Sequence, residues 1–258
     1  MIRILLSGCS GRMGQALAGR VKTHPDMEIV AGMDIAAGSG GGFPVYDRFG
    51  QIKETADIAV DFSHISLTPA LLEYCVNQKL PLVLCTTGIA GELEEQVAQS
   101  AAAIPIFRSF NMSLGVNLLL ALVRQAARVL GDAYDIEIIE KHHNKKVDAP
   151  SGTAYMIADA AASVLPFSPR YVFDRSGEHR QRSREEIGLH AVRGGNIVGE
   201  HEALFVGPDE VLAIRHSAQS RELFADGAIK AVAFLINNTQ PRIYTMDDLI
   251  RSFTEGDH

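Results

Sequence analysis

Apolar and polar positions alternate in two registers along this chain. The stretch "IRILLSG" is a short apolar run ending in Gly8, the pattern of a strand buried on both faces of a parallel sheet. "RMGQALAGRVKT" places Met13, Leu17 and Val21 at helical spacing. The same strand and helix order then repeats. "MEIVAGMD", "ADIAVDF", "PLVLCTT" and "IPIFRSF" read as strands, with helices through "LTPALLEYCVNQ" and "GELEEQVAQSAAA" between the later ones. Strands separated by helices imply right-handed crossovers and a parallel sheet.

The pattern changes after Asn111. "LGVNLLLALVRQAARVLG" is a long apolar helix with Gly131 as its C-cap, and "YDIEIIE" alternates like a half-buried strand. A helix through "TAYMIADAAASVL" follows. "EIGLHAVRGGNIVGEHEALFVGPDEVLAIRHSA" reads as strands joined by turns at Gly194-Gly195 and at Gly207-Pro208-Asp209. "RELFADGAIKAVAFLINN" returns to helix. The expected fold is therefore α/β: an N-terminal Rossmann-type parallel-sheet domain, then a C-terminal α+β domain on a mostly antiparallel sheet. The stretch "PFSPRYVFDRSGEHRQRSREE" reads as an exposed loop whose arginines form a solvated surface.

Composition narrows the class. The chain has 258 residues, 47% hydrophobic and 21% charged, with a net charge of -7, which fits a soluble globular protein and argues against nucleic acid as a partner. Its three cysteines, Cys9, Cys75 and Cys85, form no CxxC pair, so neither a disulfide framework nor a zinc site is signalled, and a reducing cytoplasmic setting fits. The apolar core of the first residues, Ile4 to Leu6, is too short for a secretory signal, and no apolar run approaches membrane-spanning length.

Two stretches carry chemistry. "GCSGRMG" sets glycines at 8, 11 and 14 between a strand and a helix, where backbone N–H groups and the helix dipole can meet a pyrophosphate. The spacing is GxxGxxG, with Ser10 at the usual middle glycine, and the same residues would also serve a plain strand-to-helix turn. Asp34 ends the second strand and can accept hydrogen bonds from an adenosine ribose, or can simply shape a turn. Further strand ends, "DFS" at Asp61 to Ser63 and "CTTG" at Cys85 to Gly88, face the same crevice by topology, although polar loops alone would read the same way.

The second stretch is "EKHHNKKVDAPSGTA". His142 and His143 are strand neighbours and point to opposite faces, so they do not share a metal ion. Pro150 breaks the strand, Ser151 can cap a helix, and Gly152 and Thr153 present N–H groups at its start, where a carboxylate binds favourably. Lys145 and Lys146 add charge, and a histidine beside them can donate a proton near neutral pH. An exposed basic turn before a capped helix is the plainer alternative.

Together with "FNMSLGVN", "VRGGNIVGEH" and "ADGAIKA", these motifs resemble the 4-hydroxy-tetrahydrodipicolinate (dihydrodipicolinate) reductase family over nearly the whole chain. The resemblance implies hydride transfer from NADH or NADPH to a small cyclic dicarboxylate in lysine and diaminopimelate biosynthesis, by a cytoplasmic homotetramer assembled through the sheet of the second domain. It implies a dinucleotide-binding domain of residues 1–111 plus 222–258, and a substrate and oligomerisation domain of residues 112–221. By the same resemblance Gly8, Cys9, Ser10, Gly11, Arg12 and Met13 form the pyrophosphate loop and Asp34 contacts the ribose. Cys85, Thr86, Thr87, Ser109, Phe110, Asn111 and Met112 are further cofactor contacts. His142 is the proton donor with Lys146 as its partner, and His143, Lys146, Gly152 and Thr153 hold the substrate. His64 departs from the family pattern, which often has proline there, and "RIYTMDDLI" is a looser version of the family's tail.

Two expectations follow, and two rival readings stand beside them. The run "IAAGSGGG" after Asp34 offers no cation for a 2'-phosphate, so NADH should serve at least as well as NADPH. The lysines should oppose protonation of His142 until a dicarboxylate binds. A related dehydrogenase for another amino or imino acid, and a non-catalytic nucleotide sensor, are the rival readings.

Overall fold

The computed structural model describes residues 1–35 and 41–254; residues 36–40, most of the cation-free run after Asp34, and residues 255–258 lie outside the described residues. The chain divides into two compact units, Met1–Leu114 with Glu222–His258, and Gly115–Arg221.

The first unit is built on strands β1 (Ile2–Ser7), β2 (Met27–Met33), β3 (Val45–Tyr46), β4 (Ile58–Asp61), β5 (Leu82–Leu84) and β6 (Ile106–Arg108), with β12 (Ile243–Tyr244) from the far end of the chain. Their order is β12-β6-β5-β4-β1-β2-β3, and every pairing is parallel. Both faces are covered, which is why "IRILL" is apolar without alternation. Ile4 and Leu6 pack with α1 (Arg12–Val21) and α6 (Glu222–Ile236), while Leu5 packs with α2 (Thr68–Gln78) and α3 (Glu92–Ala101). The chain runs outward from β1 to β3 and then returns to β4 on the other side of β1. That reversal opens a crevice beyond the carboxyl ends of β1 and β4. The edge strands β3 and β12 have two residues each, too few to show a period in sequence.

In the second unit the order is β11 (Val211–Ala218), β10 (Gly199–Val206), β7 (Asp135–His142), β9 (Glu186–Arg193), β8 (Arg170–Val172). The sheet is mixed: β11 and β7 run antiparallel to β10, while β9 is parallel to both β7 and β8. Two of the four pairings are thus parallel where a mostly antiparallel sheet was expected, because α5 (Gly152–Ala162) and β8 intervene between β7 and β9. Helices α4 (Leu114–Leu130) and α5 supply Leu119, Val123, Ile157 and Ala158 to a core with Ile136 and Ile138 of β7.

The two turns read from the sequence differ in kind. Gly207 N–H donates to Glu210 O at 2.9 Å in a hairpin between β10 and β11. The Gly194-Gly195 turn joins strands that are not neighbours, since β7 lies between them. It passes over the end of β7 instead, with Gly194 N–H donating to His142 O at 2.9 Å and Asn144 N–H to Gly195 O at 3.2 Å.

The arginine-rich segment is exposed as expected, from 173 to 185 except at Arg175 and Arg182, but its arginines are not a plain solvated surface. Arg170, Arg175 and Arg180 each place a guanidinium 2.6 to 2.7 Å from the carboxylate of Glu186, whose side chain is only 1% exposed. Arg182 reaches Asp135 at 2.7 Å and Glu137 at 3.0 Å. An inward glutamate on β9 cannot be left unpaired, so the loop folds back to neutralise it.

Candidate functional site

The glycine loop is set by steric necessity. Gly8 has φ of +76°, and a Cβ there would lie 2.6 Å from Phe62 C. A Cβ on Gly14 would lie 2.2 Å from Gly8 O, so α1 can start this close to the loop only without a side chain. No side chain caps α1 and no acidic residue sits in its first turn, which leaves that end suited to an anion. Ser10 N–H donates to Asp34 Oδ2 at 3.0 Å, so the residue ending β2 is tied to the loop. Because all strands are parallel, Asp61 to Ser63, Cys85 to Thr87 and Ser109 to Met112 emerge on the same edge of the sheet as this loop.

The side chains there divide by burial. Cys9, Cys85 and Met112 are 5%, 8% and 3% exposed and are core residues, so only their backbone is free to face a ligand. Burial pushes the thiols of Cys9 and Cys85 up. Ser10, Gly11, Arg12 and Thr87 are exposed, and Met13 is half-buried. Phe110 is exposed beneath the Arg108 guanidinium, 4.8 Å from its ring centre. Asp61 is fully buried; its carboxylate accepts Thr86 Oγ1–H and, at 3.1 Å, Ser63 N–H, bracing two of the loops. Ser109 Oγ donates to Asn111 O at 2.8 Å, and Asn111 Oδ1 accepts Ser113 N–H at 3.0 Å, shaping the third. This edge, with its side-chain-free glycine cradle and uncapped helix start, fits a dinucleotide.

The second centre lies at the end of β7. Alternation puts Ile136, Ile138, Glu140 and His142 on one buried face. His142 is 9% exposed, and its Nδ1 lies 2.6 Å from Glu140 Oε2. Glu140 is fully buried and also accepts Arg193 Nη1 at 2.8 Å, Arg193 Nη2 at 2.7 Å and Ser151 N–H at 3.0 Å. Burial alone would raise this carboxyl, but Arg193, His142 and the Ser151 N–H outweigh it and hold it below the usual range. His201 packs edge-on against His142, ring centres 5.1 Å apart, and bonds Ser151 Oγ at 2.9 Å. Burial, with His142 beside it, pulls the His201 imidazole down to about 4.

Ser151 caps α5 as expected, accepting Ala154 N–H at 3.2 Å. Gly152 is exposed at the helix start, with no atom within 4 Å of where a Cβ would stand. Thr153 is half-buried in the first turn, and no acidic residue sits there. Lys146 Nζ pairs with Asp148 at 2.8 Å, while Lys145 is exposed. His143 is half-buried beyond the strand end, with Nδ1 unpartnered. The group against the His142 ring is the Glu140 carboxylate, which the expectation about the lysines did not include, and Lys146 is turned to Asp148.

Sequence reasoning missed Glu140, Arg193 and His201. The signal was available for the first: Glu140 occupies an inward position of an alternating strand, where a carboxylate needs a buried partner. Arg193 and His201 lie 53 and 61 positions further along, and only the sheet order brings them to it. Among the described residues no group of three or more His, Cys, Asp or Glu is arranged to hold a metal ion.

Comparison with known proteins covers both units of the chain. The family model described as "Dihydrodipicolinate reductase, N-terminus" matches residues 2–112, and "Dihydrodipicolinate reductase, C-terminus" matches residues 115–250. The chain is 51% identical to a 4-hydroxy-tetrahydrodipicolinate reductase of Caldanaerobacter subterraneus subsp. tengcongensis, covering 97% of this chain and 99% of that one. It is 44% identical to the protein of that name from Clostridium tetani, covering 98% of each. Among solved structures, dipicolinate-bound dihydrodipicolinate reductase from Paenisporosarcina sp. TG-14 superposes with a TM-score of 0.81 at 25% identity, over 95% of this chain and 97% of that one.

Proposed function

The chain belongs to the dihydrodipicolinate reductase family, and from that premise we propose how its two centres carry out the reaction. It reduces 4-hydroxy-2,3,4,5-tetrahydrodipicolinate (dihydrodipicolinate) to tetrahydrodipicolinate with NADH or NADPH. In our reading this serves lysine and diaminopimelate synthesis in the cytoplasm. Three unpaired, buried cysteines and the lack, among the described residues, of any helix long and apolar enough to cross a membrane are consistent with that setting.

The cofactor supplies the hydride. The glycine loop from Gly8 to Met13 and the start of α1 receive its pyrophosphate, and Asp34 receives the ribose. Cys85 to Thr87 and Ser109 to Met112 border the same edge through backbone and exposed side chains. In the other unit, the N–H groups of Gly152 and Thr153, with Lys146 and His143, hold a substrate carboxylate. Lys146 exchanges Asp148 for that carboxylate. Overall the substrate gains one hydride and one proton, and its 4-hydroxyl leaves as water; His142 delivers the proton to the ring carbon next to the one that takes the hydride, and the N–H electron pair stays on the imidazole. A homotetramer formed through the second sheet suits β11, an eight-residue edge strand with exposed Val211 and Leu212.

The observation that carries this reading is the buried His142, set on Glu140 in the unit whose α5 start is open to an anion. His142→Gln should lower kcat by about 10²–10⁴-fold with NADH affinity nearly unchanged, as loss of a general acid does. Near-parental turnover removes His142 from the mechanism.

A further inference from the structure

We infer that Glu140, clamped by Arg193, is a positioning residue that fixes the ring of His142 and sets it against the anion-binding start of α5. The inference rests on His142 being the proton donor. Its carboxylate accepts four donors from three places in the unit. Oε2 takes His142 Nδ1 at 2.6 Å and Arg193 Nη1 at 2.8 Å. Oε1 takes Arg193 Nη2 at 2.7 Å and Ser151 N–H at 3.0 Å. One rigid group thus joins the acid on β7, a guanidinium on β9 and the first residue before α5. Arg193 is itself anchored, donating from Nη2 to Asp148 O at 2.6 Å.

The consequence for His142 is a defined ring state. An ionised carboxylate at Nδ1 requires a hydrogen on that nitrogen, so Nε2 is the nitrogen that gives up its proton and keeps the electron pair. The ring has little room to turn. His201 lies edge-on at 5.1 Å, and a Cβ on Gly199 would stand 3.1 Å from Nε2. The charged groups placed at the ring are Glu140, against Nδ1 from its own strand, and Arg193 of β9, bound to that carboxylate. His201, on β10, is kept neutral at physiological pH by its burial, and the half-buried His216 pairs with it from β11.

The test compares Glu140→Gln and Glu140→Asp with the parent and with His142→Gln. A glutamine keeps the shape but turns an amide N–H₂ toward Arg193, and an aspartate is one methylene too short for its four donors. Glu140→Gln should lose kcat by about 10²-fold or more, as when the orienting carboxylate behind a catalytic histidine is neutralised, with NADH affinity unchanged. KM for the dicarboxylate should change far less than kcat, because the lost contact orients the ring rather than holding substrate. Glu140→Asp should recover part of the loss. Independently of folding in the variants, the ¹⁵N shifts of neutral His142 in the parent chain should show Nδ1 protonated. An Nε2-protonated ring overturns the inference, as does a parental kcat in Glu140→Gln while His142→Gln is impaired. A parental His142→Gln instead overturns the proton-donor reading, and this inference with it.

Discussion

His201 shows how much one position in the second unit matters. It is 5% exposed, and its imidazole titrates near 4 because burial, with His142 beside it, disfavours the charged ring. An unfolded histidine titrates near 6.5, so between about 6.5 and 4 the unfolded chain binds the extra proton. This contribution to stability is complete above about pH 6.5 and is lost as pH falls toward 4, amounting to on the order of 3 kcal/mol at most. Urea unfolding of the parent should therefore show a midpoint that declines through that window, and His201→Gln should flatten the decline. Equal slopes in the two proteins would show that His201 is not the group responsible. Lys146 gives a second residue-scale prediction. Its ammonium already holds a carboxylate, that of Asp148, 2.8 Å away. Lys146→Met should weaken binding of 2,6-pyridinedicarboxylate by about 10-fold or more, the loss of a charge-assisted partner, and leave NADH binding unchanged. Equal analogue affinity in calorimetric titration would remove Lys146 from the carboxylate pocket.

Elements rather than single residues decide the arginine-rich segment. Composition alone made it a loop, because arginine, serine and proline do not build an apolar period. The structure ties it to the sheet through carboxylates that the strands turn inward. Hydrogen bonds from Arg175, Arg170 and Arg180 drive Glu186 far below the usual carboxylate range. Glu186→Gln should remove the one carboxylate that Arg170, Arg175 and Arg180 share, leaving them only Glu178 and Glu137. Limited proteolysis should then cut between residues 173 and 185 faster than in the parent, with a lower urea midpoint. Unchanged cleavage would mean that the segment is held by something other than this carboxylate. At the same scale, β1, α1, β2 and the later strand-helix pairs were legible because buried strands and amphipathic helices have distinct periods. The edge strands β3 and β12 were not, being two residues long and placed by neighbours. The Gly194-Gly195 turn was visible, but nothing local says that β7 lies between the strands it joins.

For the whole molecule, the nucleotide end was easier to read than the acid end. A glycine loop and an acidic strand end are local signals, 20 positions apart from Gly14 to Asp34. The setting of His142 is assembled from β7, β9, β10 and the start of α5, which only the sheet brings together. Asp34 belongs to both readings. Its carboxylate takes Ser10 N–H at 3.0 Å, so its charge is held beside the pyrophosphate loop. A 2'-phosphate would meet that charge, and kcat/KM for NADH should be at least equal to that for NADPH when both are measured side by side. A large NADPH preference would contradict this assignment.

The most direct measurement follows oxidation of NADH by the intact chain with freshly generated 4-hydroxy-tetrahydrodipicolinate, without it, and with other cyclic or open-chain amino and imino acids in its place. The account expects steady oxidation, one NADH per tetrahydrodipicolinate formed, only with the cyclic dicarboxylate, and inhibition by 2,6-pyridinedicarboxylate. Comparable oxidation with a different amino or imino acid would make the chain a dehydrogenase of another substrate. Cofactor binding with no oxidation under any of these conditions would contradict catalysis altogether.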